Sequence, residues 1–326
     1  MGDYRAEKEG SKAPVGGSVV DYRLERNLTV AGLIEALRYS GGFQAVNIAR
    51  AVDVLTEMWR DQSAVLFLSF TANLVATGLR GVLAQLLEEG LFDVVITTAG
   101  TLDHDLIRCW AEYHHGSFDV DDAELAEKGI ARLGNVFVPM EAFTTLEKKI
   151  QPFLAELHEE KKEWGCRELI ERMGKDLACP GSILRAAADS GIPIYIPGIV
   201  DGAVGNQLWF FRESHPDFRV DMLADQRELA ELVFKAERTG ALVLGGGIAK
   251  HHTIGWNMFK GGLDYAVYIT TAPEYDGSLS GARDREAVSW GKISLKAKRV
   301  TVVGDATILA PIALAAALDR VGWRRA

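Results

Sequence analysis

Six short apolar runs recur along the chain, each followed by a helical stretch, and this alternation leaves few folds open. The runs are SAVLFLSFTAN, FDVVITTAG, SGIPIYIPGIVDG, GALVLGGG, DYAVYITTA and RVTVVGDA. Their cores are continuously apolar instead of alternating, the pattern of a strand buried on both faces. Between them lie helical segments such as LVATGLRGVLAQLLEEG, TLDHDLIRCWAEYHH and IAKHHTIGWNMFKGG. Strands separated by helices predict an α/β fold, doubly wound, with a mostly parallel sheet covered on both faces. Two further helices, broken at Gly41-Gly42, precede the first strand. Residues 1–20 are polar and Gly-rich and read as a flexible N-terminal arm. From about 120 to 180 the rhythm stops. The charged stretches DDAELAEKGIARL and LEKKIQPFLAELHEEKKEW are expected to form a helical insertion inside a single domain spanning 21–326.

A parallel sheet places every carboxyl end at one edge, so the residues there are compared directly. They are Thr71 and Asn73; Thr97 to Gly100; Asp201 and Gly202; Gly245 to Gly247; Thr270 to Ala272 and Asp276; Gly304 to Ala306. Small residues let backbone approach a ligand, and the helix N-termini that follow attract phosphate. An acid after a strand, such as Asp201 or Asp305, can hold ribose hydroxyls. Together they suggest a dinucleotide site, although GxGxxG is absent and small residues are also ordinary turn chemistry. His251 and His252 open a helix. Adjacent positions face different ways, so the pair suits one general base better than one metal ion.

The richest segment is DYAVYITTAPEYDGSLSGARDREAVSWGKI, residues 264–293. A short helix is expected over Asp284 to Trp290, with Gly291 ending it in a left-handed cap. Glu286 and Trp290, four apart, share a face. Lys292 emerges just past the glycine, and the three are expected at the carboxyl edge of the sheet. On residue physics alone Lys292 reads as a surface lysine beside the basic run Lys296 to Arg299. Its sharper reading is a Schiff-base nucleophile. That needs a neutral amine, which a lysine of pKa about 10.4 offers in only on the order of one molecule in a thousand at pH 7.

Charge narrows the partners. The net charge of −9 argues against nucleic acid and suits a cationic substrate or a basic protein. Three cysteines, Cys109, Cys166 and Cys179, with no CxxC, are expected to be reduced thiols in a cytoplasmic protein, without a disulfide framework or Cys-type zinc site. The N-terminus has no apolar run of a signal peptide. TILAPIALAAAL, too short to span a bilayer and containing Pro311, reads as a buried helix, so no membrane partner is expected.

The segment 264–293, together with LGGGIAKHH (244–252), DYRLERNLTVAGLIEALRYSGGFQAVNIARAVD (21–53), TANLVATG (71–78), TTAG (97–100), ARLGNVFVPMEAF (131–143) and VDGAVG (200–205), closely resembles deoxyhypusine synthases. The resemblance covers nearly the whole chain. It implies a Rossmann-like single domain, NAD as cofactor and a homotetramer with sites at dimer interfaces. The implied reaction passes the 4-aminobutyl group of spermidine, through an imine on an enzyme lysine, to one lysine of the translation initiation factor 5A precursor. It implies Lys292 as the imine-forming lysine and His251 as the base. Asn73, Thr98, Ala99, Gly100, Asp201, Gly246, Thr271, Ala272, Asp276, Ser280, Asp305 and Ala306 match the cofactor contacts. Glu286 and Trp290 match the polyamine pocket, and Asp103, His104, Asn206, Gly277, Ser278 and Leu279 occupy the other positions the resemblance assigns to substrate binding.

This chain departs from the family pattern in that region. Asn206 and Leu279 stand where Asp is expected, Gly255 where Asn is, and His104 where a Glu near the cofactor is. Asp103, Asp105, Glu274, Trp256 and Tyr275 are candidates to compensate for the lost carboxylates. Two alternatives stay open: a homospermidine-synthase-like transfer to a free diamine, and a non-catalytic NAD- or polyamine-binding homologue.

Overall fold

The computed structural model describes residues 17–322, so the first sixteen residues of the expected arm lie outside it. The rest of the arm is exposed and is tied down where the Val20 N–H donates to the Tyr39 carbonyl at 2.9 Å. Helices α1 (Val30–Tyr39) and α2 (Ala45–Arg60) lead into β1 (Ala64–Phe70). Then come α3 (Leu79–Glu88), β2 (Val94–Ile96) and α4 (Gly100–Trp110). An inserted stretch holds β3 (His114–His115), α5 (Asp122–Glu127), β4 (Ile130–Leu133), β5 (Val136–Pro139), α6 (Glu141–Glu160), β6 (Glu163–Gly165) and α7 (Cys166–Asp176). The main rhythm resumes with α8 (Ile183–Ser190), β7 (Ile194–Tyr195), α9 (Ala203–Ser214), β8 (Arg219–Asp221) and α10 (Met222–Lys235). It ends with β9 (Arg238–Leu244), α11 (Gly247–Met258), β10 (Leu263–Thr270), α12 (Asp284–Ser289), β11 (Ile293–Val303) and α13 (Ala306–Val321).

All six expected strands join one sheet in the order β11-β10-β9-β1-β2-β7, and every pairing is parallel. The alternation of side chains splits the core in two. Leu66, Leu68, Leu242, Leu244, Val267 and Ile269 face one layer, which holds α1 to α4, α8 and α13. Phe67, Ala241, Val243, Ala266 and Tyr268 face the other, under α10, α11 and α12. Burying each large side chain contributes about 1.5–3 kcal/mol; β1, β9 and β10 are buried on both faces, whereas the first half of the edge strand β11 stays largely exposed. Gly240 in β9 lets α2 lie close: a Cβ there would sit 2.7 Å from the Met58 sulfur. The TILAPIALAAAL stretch is the buried helix α13, with Pro311 inside it.

Two expectations need correcting. The insertion is not purely helical: β3, β5 and β4 form a small antiparallel sheet, and β6 pairs with β8. The DDAELAEKGIARL stretch stops being helical at Glu127, and IARL and VFVP form a hairpin around Gly134, whose φ of +60° opens the two-residue turn. The thiols are not all free: Cys109 and Cys179 are bonded, with Cα atoms 5.6 Å apart across 70 residues of chain, and only Cys166 is free. Packing of α4 beside the segment before α8 brings them together, which wide spacing in sequence does not reveal.

Candidate active site

The chain winds outward from β1 through β2 to β7, then returns to β9 and winds the other way through β10 to β11. The loops after β1 and β9 therefore leave in opposite directions, and a crevice opens between their carboxyl ends, where doubly wound sheets bind ligands. Backbone in this crevice is unusually free to meet a ligand. Gly245 and Gly247 take φ of +89° and +62°, and a Cβ at Gly247 would meet nothing within 4 Å. Gly246 lies so close to the next loop that a Cβ would sit 2.5 Å from the Ser280 Cα. The Ser280 hydroxyl accepts from the Gly247 N–H at 2.9 Å.

Several expected cofactor residues meet here. Thr98 accepts from the Ala72 N–H at 3.1 Å, fixing the β1 and β2 loops together, and the Thr71 hydroxyl donates to Asn73 at 2.5 Å. Ala99 and Gly100 open α4. Asn73 and Asp305 line one hollow of about 740 Å³ with Thr77, Arg108, Tyr113 and the exposed His114 and His115. Asp305 also caps α13 by accepting from the Thr307 N–H at 2.8 Å, and Ala306 is buried behind it. Thr271 is exposed and Ala272 half-buried at the end of β10, Asp276 accepts from the Ser278 N–H at 2.7 Å, and Asp201 is exposed after β7. This donor set, open backbone with a helix N-terminus and exposed acids, fits a dinucleotide.

Beyond β10 the chain makes a second pocket. Pro273 stops the strand, and Gly277 turns left-handed with φ of +70°. Gly281 folds the loop back so tightly that a Cβ would fall 1.8 Å from the Pro273 carbonyl oxygen. The Ser278 hydroxyl accepts from the Gly281 N–H at 3.2 Å. Helix α12 follows and ends at Gly291, φ +67°. The Lys292 N–H donates to the Ala287 carbonyl at 2.9 Å and the Gly291 N–H to that of Val288 at 3.0 Å, a Schellman closure that locks the lysine's backbone. Lys292, Glu286, Trp290, Leu279 and Gly277 then line a pocket of about 180 Å³ with Lys250, Ile254 and Arg283. The Lys292 ammonium lies 5.4 Å from the centre of the Trp290 ring.

The position of this trio differs from expectation. The Lys292 carbonyl accepts from the N–H of Leu263, the first residue of β10, so its backbone sits at the amino edge of the sheet. A helix after a parallel strand runs back along it, and α12 carries Lys292 away from the carboxyl edge. The pocket thus runs down the α11 and α12 face, from the loop at one edge to the lysine at the other. Lys292 itself is half-buried, neither the surface lysine nor a core one.

The two histidines separate as their adjacency requires. His251 is exposed on α11. His252 is turned inward against the Trp256 indole N–H at 3.2 Å, and burial, with His251 nearby, pushes its imidazole down to about 4.

Three residues expected on the polyamine side lie elsewhere. Asp103 is buried and accepts from the Ala203 and Val204 N–H groups, both at 2.8 Å, capping α9; burial raises its carboxyl above the usual range. His104 pairs with the Tyr113 hydroxyl at 2.8 Å, and burial lowers it to about 4. Asn206 is exposed on α9. These belong to α4 and α9, the helices after β2 and β7. Three strand spacings, roughly 14 Å, separate β2 from β10. One copy of the chain does not bring them to Lys292. Asp105 is fully buried and used up by Arg80, Ser182 and the Ile183 and Leu184 N–H groups, so it compensates for nothing at the pocket. Sequence reasoning also missed Lys250, 1% exposed on the inner face of α11. Its signal was present: Lys250 shares the i, i+4 stripe of Ile254 on a face that is otherwise apolar or small.

The fold and site define a doubly wound α/β enzyme with a dinucleotide-type crevice and a lysine-bearing pocket. A family model for deoxyhypusine synthase matches residues 32–317, and the chain belongs to that family. Relatives named "Probable deoxyhypusine synthase" include one from Ignicoccus hospitalis, 51% identical over 93% of this chain and 96% of its own length. Another, from Picrophilus torridus, is 47% identical over 91% and 96%. A solved structure from Entamoeba histolytica assigned to the same family superposes with a TM-score of 0.66 over 91% of this chain and 96% of that one; at 21% identity it supports the fold.

Proposed function

We propose that this chain transfers the 4-aminobutyl group of spermidine to a lysine of the translation initiation factor 5A precursor, through an imine on Lys292. The observation that carries the reading is the locked, half-buried Lys292 facing Glu286 and Trp290 in a pocket of this size, inside a chain of this family.

NAD⁺ would be held by Asn73, Thr98 to Gly100, Asp201, Gly246, Thr271-Ala272, Asp276, Ser280 and Asp305-Ala306, and when bound would supply the acceptor of the substrate hydride and its source for the final reduction. The rest is done by side chains. His251 takes the proton that the oxidised carbon's secondary amine gives up. The Lys292 amine attacks that carbon and expels 1,3-diaminopropane, leaving a 4-aminobutyl imine on Nζ. The acceptor lysine displaces Lys292 from the imine and frees the Nζ amine. Glu286 and the Trp290 ring hold the ammonium of the bound chain. Leu279, an apolar wall where the family has a carboxylate, packs on methylenes instead.

The sheet order supports a shared site. Asp103, His104 and Asn206 lie far from Lys292 within one copy; beside Asn206 the α9 face exposes Trp209 (56%) and Phe210 (51%), and the turn before α9 exposes Val200 (65%). We assign that face to contact with a second copy in a homotetramer, with Asn206 completing the neighbour's pocket. No helix among the described residues is long and apolar enough to cross a membrane. An acidic surface suits a basic acceptor protein, and we place the enzyme in the cytoplasm with that acceptor.

The test is incubation with labelled spermidine, NAD⁺ and either the factor 5A precursor or putrescine, with borohydride trapping. Label is expected on the precursor, and on Lys292 when the precursor is omitted; Lys292→Ala should trap nothing. Label only in a small-molecule product would establish the free-diamine transfer instead. Equal, negligible trapping by both proteins would end the covalent reading.

A further inference from the structure

Lys250 is a lysine with nowhere to expose its charge. Its ammonium donates to the carbonyls of Leu279 at 2.8 Å and Ala282 at 2.5 Å and lies 4.4 Å from the centre of the Tyr268 ring. Those two carbonyls belong to the loop that leaves β10 and enters α12, the loop that delivers Lys292. Lys250 sits on α11 next to His251, the proposed base. Three residues before it on α11, the Gly247 N–H grips the same loop through Ser280 at 2.9 Å. Residues three apart share a helix face, so the two contacts form a seam between α11 and the loop. His251, one residue on, is turned to the exposed side.

We propose that Lys250 is a positioning residue: it clamps the loop 277–283 to α11 and so holds Lys292 in register with His251. The proposal rests on the Lys292 reading above but concerns a residue that the reaction does not consume. The clamp is chemically specific. Only a long cationic side chain reaches two carbonyls on one loop and still finds an aromatic face for its remaining charge. Its burial is costly, and the ammonium is brought down to about 8, chiefly by desolvation; Arg283 pushes the same way, Glu286 and Asp284 oppose, and Lys292 again lowers it. Such a group is kept only where its donors are engaged. Removing it leaves two loop carbonyls without a partner and frees the loop from α11.

The experiment compares Lys250→Met, which keeps length and loses the donors, with Lys250→Arg, which keeps donors. Lys250→Met is expected to bind NAD⁺ as the wild type does. Its spermidine-derived adduct on Lys292 should form about ten- to a hundredfold more slowly, because small misplacements of a reacting group are expensive. Lys250→Arg should recover most of that rate. Amide hydrogen exchange in Lys250→Met should speed up across 277–292 and stay unchanged in β1, β2 and β9. Wild-type trapping in Lys250→Met, or unchanged exchange in 277–292, overturns the clamp. So does a parallel fall of NAD⁺ binding, trapping and thermal midpoint, which would mark a merely structural lysine. If the wild type itself traps nothing, the covalent reading fails, and the exchange measurement alone decides the clamp.

Discussion

The two ends of the site are built in opposite ways. The Lys292 end comes from one continuous stretch, where Pro273, Gly277, Gly281 and Gly291 fold a loop and short helix back onto β10. The far end, with Asp103, His104 and Asn206, joins α4 to α9 over some hundred residues of chain. At the first end the charged groups face a pocket. At the second they are spent inside the protein: Asp103 on the α9 N-terminus and Asp105 on Arg80. What reaches solvent there includes Asp201, Asn206 and the apolar Trp209 and Phe210 of α9. On the reading proposed above, the first region carries the chemistry and the second completes the pocket of another copy.

The sharpest way to break that contrast is at the base. His251→Ala should slow spermidine-dependent oxidation by about 10²–10⁴-fold while NAD⁺ binding holds, read by NADH absorbance and calorimetry. Unchanged turnover would remove His251 from the role and leave the lysine end without a base.

Asp103→Ala tests the other end. Two buried N–H groups would lose their acceptor, and each orphaned donor costs about 1–3 kcal/mol. The expected result is a loss of stability in urea, with adduct formation on Lys292 spared in the protein that remains folded. A stable variant whose spermidine KM rises steeply would instead show Asp103 gripping substrate.

The bond between Cys109 and Cys179 belongs to the same structural end. Replacing both by Ser should lower stability by about 2–4 kcal/mol without altering trapping at Lys292. Denaturation in the presence and absence of reductant checks the first part, and a changed trapping rate would show that the two ends are coupled through α4.

Much of this was legible beforehand, for identifiable reasons. Buried parallel strands announce themselves by unbroken apolar runs, and Gly291 announces its cap, so the sheet and the α12 ending followed from local pattern. The hairpin in the insertion did not, because IARL and VFVP are short and lie beside a strongly helical charge pattern. The edge on which Lys292 sits did not either. It depends on how far the 271–283 loop travels before α12 turns back, which Gly281 decides by allowing a backbone contact and no residue type alone encodes. Lys250 was legible as a lysine on an apolar stripe. Its partners were not, since both are backbone carbonyls and carry no sequence signature.

The smallest effect compares the ends by pH. His104 at the far end and His252 beside the lysine pocket are both held neutral, each lowered to about 4 by burial. In the unfolded chain each takes up a proton near pH 6.5. Below that pH the unfolded state binds more protons than the folded one, so stability is full above about 6.5 and falls as pH drops toward 4. Each histidine contributes about 1–3 kcal/mol to that fall, with partial exposure reducing the figure. Asp225 works against it: burial lifts its carboxyl to about 6, so it contributes stability at low pH that is lost as pH rises through that value. Urea denaturation at pH 7 and pH 5 should therefore show a net loss that His104→Gln and His252→Gln each reduce. His104→Gln should do so without touching adduct formation, because its ring faces Tyr113 and not the pocket. His252→Gln, beside His251 on α11, should change both. Equal effects on chemistry from the two variants would mean that α4 and α11 answer to one another within a single copy.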